Sequence, residues 1–320
     1  MLTLSASRSP ADPLPGVLKM GSSISPDGSV IEVDSRSLLL NGGRWLPVSG
    51  EFHYSRYPSA EWRAELLKMR AGGVDIVATY SFWIHHEEEQ GVWDWSGRRE
   101  FRRFVELCRE TGLFVIARIG PWAHGECRNG GLPDWVLKTG CKTRSDDPAY
   151  LKLVTPFYDQ ISAQLSGLLW KDGGPVIAAQ CENEFGGPAE HLITLKRMAI
   201  SAGIDTPIYT FTAWAPPSTP IPTGELLPVF GGYAQGFWNR ELTPEVDEGV
   251  FRFSLDLEAK AAAMGVAQTG ASRRTAVADV DRYPYCCAEL GGGMSTSYHR
   301  RICIGSAAIE SGALVKIGSG

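Results

Sequence analysis

The chain reads as an α/β protein of the (β/α)8 TIM-barrel type, and three observations carry that reading. Short apolar runs with the composition of fully buried strands alternate with longer segments whose apolar residues recur at helical spacing. The alternation repeats from about Val30 onward, as parallel strands joined by right-handed helical crossovers require. Two of the apolar runs lead directly into glutamates. Pro175-Val176-Ile177-Ala178-Ala179 precedes Glu182 and Glu184, and Tyr283-Pro284-Tyr285-Cys286-Cys287 precedes Glu289. The C-terminal mouths of barrel strands are where this architecture keeps its chemistry.

In order along the chain, residues 1–28 are rich in Ser, Pro, Gly and Asp and lack periodicity. A loosely ordered N-terminal segment is therefore expected ahead of a barrel domain over 29–320. Trp45–Tyr54 reads as the first strand. A helix follows, with Ser59 as its N-cap and Leu66, Leu67 and Met69 on its inner face. Val74–Trp83, nearly all apolar, is the second strand. Ser96–Thr111 is amphipathic, with Phe101, Phe104, Val105 and Cys108 at helical spacing and Gly112 as its stop. Leu113–Ile119 is the third strand, followed by a long loop over Gly120–Thr143.

Asp147-Pro148 opens the next helix with an acidic cap and a proline at the first position. Its inner face is expected to be Leu151, Val154, Tyr158, Ile161, Leu165 and Leu168. The fourth strand runs to Glu184, and a helix over about 189–202 closes at Gly203. Pro207–Phe211 and Leu226–Gly231 read as strands five and six, Tyr283–Glu289 as strand seven, and Ser306–Lys316 as a further helix. Seven strands are legible. Either 240–280 hides an eighth, or the barrel is C-terminally shortened, which leaves an open edge and one wall of the pocket missing.

Composition narrows the function classes. Apolar residues make up 43% and charged residues 21%, enough for a sizeable core and too little charge for disorder. The net charge is −5 and basic residues are not clustered, so no nucleic-acid partner is expected. No run of about 18 apolar residues occurs, and no membrane span is expected. Residues 1–20 lack the apolar core of a signal peptide. Cys108, Cys127, Cys141, Cys181, Cys286, Cys287 and Cys303 form no regular framework and no C-x-x-C pair. Those features point to a cytoplasmic, reducing setting with the cysteines as small apolar residues.

No glycine-rich phosphate fingerprint follows the first strand, and Gly291-Gly292-Gly293 lacks the Lys-Ser/Thr of a P-loop. No cofactor is expected. His85, His86 and His124 have no i, i+4 partner, and no metal site is expected either. Several of the ten Trp residues (Trp83, Trp122, Trp135, Trp214, Trp238) stand beside polar residues or glycine, where an aromatic face could meet the apolar face of a sugar as readily as it could fill the core.

Two glutamates at two strand mouths match glycosidic-bond cleavage, which needs one acid and one nucleophile or base. The acid must be protonated before attack, which calls for a raised pKa, and the nucleophile must be ionised. A separation of about 5–5.5 Å between the two carboxyl groups gives retention of configuration. Glu182 competes with Glu184, because residues two apart on a strand point the same way; the position at the mouth favours Glu184.

The segment Gln180-Cys181-Glu182-Asn183-Glu184-Phe185-Gly186 resembles a motif of glycoside hydrolase family 35, the β-galactosidases. Gly50-Glu51-Phe52-His53-Tyr54-Ser55-Arg56, Thr79-Tyr80-Ser81-Phe82-Trp83 and Arg118-Ile119-Gly120-Pro121-Trp122 through Gly130-Gly131-Leu132-Pro133 resemble further motifs of that family, in the same order. The resemblance covers about residues 30–320. It implies Glu184 as acid/base, Glu289 as nucleophile, and Tyr80, Glu126 and Asn183 as sugar contacts; Trp83 is a further candidate, to stack on the sugar or to pack in the core. The implied activity is retaining removal of terminal β-galactose from an oligosaccharide or polysaccharide. The family's chains usually continue past this length into β-sandwich domains, so the end of the barrel and those domains are expected to be absent.

Two departures from the family pattern bear on specificity. Ile84-His85-His86-Glu87 replaces a run that usually begins with Asn. His124-Gly125-Glu126-Cys127 replaces Cys-Ala-Glu-Trp. They keep a related β-glycosidase (β-glucosaminidase or β-glucosidase) open beside the galactosidase. The missing strand keeps open a non-catalytic carbohydrate-binding protein.

Overall fold

The computed structural model describes residues 12–213, 217–232, 279, 282–290, 296, 297, 300 and 301. An antiparallel sheet comes first: β1 (Ile31–Val33), β2 (Leu38–Leu40) and β3 (Gly43–Trp45) pair in sequence order. The main sheet is all parallel. Its strands are β4 (Ser49–Glu51), β5 (Ile76–Tyr80), β6 (Phe114–Gly120), β7 (Val176–Cys181), β8 (Ile208–Thr212), β9 (Leu227–Gly232) and β10 (Cys286–Leu290). Each pairs with the next in sequence, from β4 at one end to β10 at the other. This is a barrel of the (β/α)8 type with seven strands in place. Among the described residues β4 and β10 are not paired with each other, and the gap between them is where an eighth strand would close the ring. The 240–280 region and the Ser306–Lys316 helix lie outside the described residues.

The helices are α1 (Trp62–Ala71), α2 (Trp83–His86), α3 (Phe101–Glu110), α4 (Asp134–Lys138), α5 (Pro148–Leu165) and α6 (Ala189–Ala202). In α3, Phe101, Phe104, Val105, Leu107 and Cys108 are buried against the strands. The Asp147 side chain caps α5 by accepting from the Ala149 amide at 3.0 Å. Gly203 ends α6 in the left-handed region, with φ of 101°. Strand β7 is buried at every position, as a central parallel strand should be.

Several boundaries differ from the sequence reading, each for a tertiary reason. Trp45 belongs to the antiparallel sheet, and the chain curls at Tyr54–Arg56 into a 3-10 turn. That turn drops Tyr54 into the core, where its hydroxyl meets His86 Nε2 at 2.6 Å. Ser59 opens a 3-10 turn that leads into α1 and makes no side-chain cap; Glu61 precedes the helix. Leu67 is 42% exposed, since Trp62, Leu66 and Met69 share the inner face by helical spacing. The second strand stops at Tyr80, and Trp83–His86 forms a single helical turn. Leu168 is buried but lies beyond α5, whose buried face includes Tyr150 and Phe157 instead. Finally, β7 ends at Cys181, short of Glu184.

The segment ahead of the barrel runs across the end of the sheet opposite the candidate site. Gly21 donates to the Pro207 carbonyl and Lys19 to that of Gly224, both just before strands. The Trp170 indole donates to the Ser23 carbonyl at 2.8 Å. Val17, Leu18 and Met20 pack on the core there.

Candidate active site

The C-terminal ends of β4 to β7 and of β10 bring together a set of buried polar and ionisable groups. Arg118, on β6, is the hub. It is 3% exposed in the middle of an otherwise apolar strand, so its charge must be met by fixed partners. Its Nη1 donates to Glu51 at the end of β4, and its Nη2 donates to Asn183 Oδ1 at 2.8 Å. The guanidinium carbon lies 3.7 Å from the centre of the Tyr80 ring, at the end of β5. His53 stacks on Tyr80, its ring 5.4 Å away. Burial holds the His53 imidazole down at about 4, against the pull of Glu51, so it is neutral at pH 7.

Glu184 stands on a turn that follows β7. Glu182 and Glu184 both occupy the left-handed region, with φ of 55° and 46°. For residues with a Cβ that conformation costs about 1–2 kcal/mol each, and surrounding bonds hold it. Glu182 donates its amide to the Gly120 carbonyl, and Gln180 Nε2 donates to the Glu182 carbonyl at 3.0 Å. Glu184 donates its amide to the Thr212 hydroxyl at the end of β8. The Glu182 carboxylate turns inward, 1% exposed, onto Arg144. The strand-alternation argument that left Glu182 and Glu184 equivalent therefore does not apply: the two point to different surroundings. Among the described residues, no hydrogen bond or ion pair engages the Glu184 carboxylate.

Asn183 is buried between them. Its Oδ1 accepts from Arg118 and from Gln180 Nε2 at 3.3 Å, and its Nδ2 lies 3.2 Å from His124 Nδ1. Burial lowers the pKa of His124, with Arg144 adding to the fall and the Glu184 carboxylate opposing it. Glu126 lies in the same loop, at φ of 47°. The close turn there depends on Gly130, where a Cβ would fall 2.3 Å from the Trp122 indole.

Glu289 lies on β10 just past a bulge between Cys287 and Glu289, the kind of irregularity that re-aims a side chain. Burial pushes its carboxyl up to about 7, whereas the sequence reading called for the raised value on the acid and an ionised nucleophile. Glu51, Glu184 and Glu126 add to the rise, and Arg118 opposes it. Tyr80 feels Arg118, Glu51, Glu289 and Glu184, though burial is the main cause that pushes its phenol up. Tyr80, Glu126, Asn183, Glu184 and Glu289 thus share one electrostatic neighbourhood. Trp83 does not join them. It is fully buried, stacked flat on Phe157 at 4.8 Å, with its indole donating to Glu87 at 2.6 Å.

The strongest partners are ones that sequence reasoning left without a role: Glu51, His53, Arg118, Arg144 and Thr212. A signal existed for Arg118, a charge inside an apolar run, and for Glu51 at a strand end.

All of this arrangement except Glu289 falls inside a stretch with a clear relative. Residues 37–233 match the family model of glycosyl hydrolases family 35. The chain belongs to glycoside hydrolase family 35. A β-galactosidase of Canis lupus familiaris is 38% identical over 157 residues, 49% of this chain and 24% of that protein. One of Xanthomonas manihotis is 39% identical over 162 residues, 49% of this chain and 27% of that protein. Beta-galactosidase 11 of Oryza sativa subsp. japonica is 36% identical over 168 residues, covering 52% of this chain and 20% of that protein. The family 35 chain thus spans about a quarter of the length of the relatives it matches, or less. Among solved structures, endo-glycoceramidase II from Rhodococcus sp. superposes with a TM-score of 0.43 at 14% identity, over 66% of this chain and 58% of that one. Exo-beta-1,4-mannosidase Op5Man5 from Opitutaceae bacterium strain TAV5 gives 0.42 at 14% identity, over 68% and 41%.

Proposed function

We propose that this chain carries the catalytic barrel of a retaining exo-β-galactosidase, acting on terminal β-linked galactose of an oligosaccharide or polysaccharide. The observation that carries the reading is the convergence of Glu184 and Glu289, with Tyr80, Glu126 and Asn183, around Arg118 at the mouth of a family 35 barrel. Glu184, with its carboxyl unengaged among the described residues, protonates the leaving oxygen. Glu289 attacks the anomeric carbon to form the glycosyl-enzyme. Its charge is then consumed, and Glu184 takes a proton from the water that releases the sugar. Asn183, fixed by Arg118 and Gln180, is placed to meet a sugar hydroxyl beside Glu184. Tyr80, with its phenol kept protonated, offers a neutral donor.

The test is hydrolysis of an aryl β-D-galactoside by the full chain, beside its Glu289→Gln variant. Turnover by the parent and a loss of at least about 10⁴-fold in the variant are expected for a nucleophile. Wild-type activity in Glu289→Gln would sink the assignment. Saturable binding of a galactoside without product from the parent would favour a carbohydrate-binding role, and preference for an aryl β-glucoside would redirect the specificity.

A further inference from the structure

The turn that carries Glu184 is held by a residue remote from it in sequence. Arg144 lies in the loop between α4 and α5. Its Nε donates to Glu182 Oε2 at 2.8 Å, and its Nη2 donates to the carbonyls of Asn183 at 2.7 Å and Glu184 at 3.2 Å. One guanidinium therefore binds three consecutive residues, a fixed arrangement for which the planar fork of arginine is better shaped than the compact ammonium of lysine. Aromatic rings fix the guanidinium in turn: its carbon lies 4.6 Å from the centre of the Trp122 ring and 5.5 Å from that of Phe185.

Glu182 is the counter-anchor. Its second oxygen, Oε1, lies 3.9 Å from His191 Nε2, and among the described residues neither atom has a hydrogen-bond partner although both are buried. His191, in the first turn of α6, is held by Asp146, 2.7 Å from its Nδ1. Asp146, His191, Glu182 and Arg144 form one line of polar contacts that ends on the backbone of Asn183 and Glu184. The Glu184 amide is tied separately to Thr212. Both peptide groups flanking the Glu184 Cα are thereby fixed, and the carboxyl can move only about its own side-chain torsions.

The geometry points to Arg144, anchored by Glu182, as the positioning residue of the acid/base: by holding the carbonyls of Asn183 and Glu184 it sets the direction in which the Glu184 side chain leaves the turn. This rests on the proposed role of Glu184. It gives Glu182 a defined task, that of a buried anchor which never meets substrate.

Leaving-group dependence separates positioning from general damage. In Arg144→Met, kcat/KM for phenyl β-galactoside, whose leaving group needs protonation, should fall about 100-fold, the lower end of what general acid catalysis contributes. With the dinitrophenyl galactoside, whose first step needs no acid, the fall in kcat/KM should stay below about fivefold. Arg144→Lys should recover part of the loss. Glu182→Gln, which keeps an acceptor for Arg144, should show the same dependence at smaller size. A uniform loss across both substrates, or none, overturns the proposal.

A second readout needs no turnover. Amide hydrogen exchange at Glu184 should quicken at least about tenfold in Arg144→Met while the β8 amide of Thr210 keeps its protection. Unchanged exchange at Glu184 also overturns it. Should the parent chain cleave no galactoside, the assigned role of Glu184 fails, and the exchange comparison alone decides whether Arg144 holds the turn.

Discussion

Glu184 and Glu289 reach the same cleft by opposite means. Glu184 stands on an irregular, left-handed turn whose backbone is bonded to Thr212 and Arg144, while its carboxyl is unengaged among the described residues. Glu289 stands on a strand just past a bulge, and its carboxyl is half-buried among other carboxylates with Arg118 as the opposing charge. The first residue is controlled through geometry and the second through electrostatics. Changes near Glu184 should therefore disturb proton delivery to the leaving group, and changes near Glu289 should disturb titration.

The largest effect tests the geometric half. Glu184→Ala should cut kcat/KM for phenyl β-galactoside by about 10²–10⁴-fold, with a far smaller loss on the dinitrophenyl galactoside. Added azide should restore turnover of the activated substrate and yield the β-galactosyl azide, since a small anion can replace water once the base is gone. Equal losses on both substrates, or an α-configured azide, would break the distinction between the two carboxylates.

A smaller effect tests the electrostatic half. A nucleophile acts as its carboxylate, and Glu289 holds its proton up to about pH 7 because burial disfavours the charge. In the free protein kcat/KM should thus fall as pH drops through about 7, roughly tenfold per unit below it. Arg118 is the charge that opposes the rise, so Arg118→Met should move this limb to higher pH. A flat profile between pH 5 and 8 would show that the Glu289 proton does not limit the reaction.

Much of this architecture was legible before any coordinates, and the reasons are physical. Buried parallel strands are continuous apolar runs, so the order of β5 to β10 could be read, and α3 announced itself by periodicity. The caps at Asp147 and Gly203 are local chemistry and are found where the sequence puts them. The turn after β7 was not legible. Nothing local makes Glu182 and Glu184 left-handed; bonds from Gln180, Arg144 and Thr212 impose it, and two of those residues are distant in sequence. Trp83 was open to a sugar-facing or a core reading for a similar reason. Its apolar run continues through Ser81 and Phe82, but contacts with Phe157 and Glu87 draw it into the core. The family resemblance named the carboxylates, and the packing around Arg118 and Arg144 shows what holds them.

The smallest effect asks what burying Glu289 costs the fold. A carboxyl with a pKa near 4.5 when unfolded and about 7 when folded binds its proton more tightly in the native state. Its contribution to stability is present below the unfolded value and is lost as pH rises through that window. Above pH 7 the native state holds an ionised carboxylate in a poorly solvated place beside three other carboxylates. Replacing it with a neutral isostere should relieve that burden. For this half-buried group, solvent screening leaves a net effect of about 1 kcal/mol, so Glu289→Gln should raise Tm by roughly 2–4 °C at pH 8. The gain should vanish by pH 5, where Glu289 in the parent is already protonated. An equal gain at both pH values would locate the effect in packing and not in charge. A loss at pH 8 would mean that Arg118 stabilises the ionised form more than burial disfavours it. The expected sign is the one that a site built for reaction shows, where a charge the chemistry needs is kept at the expense of the fold.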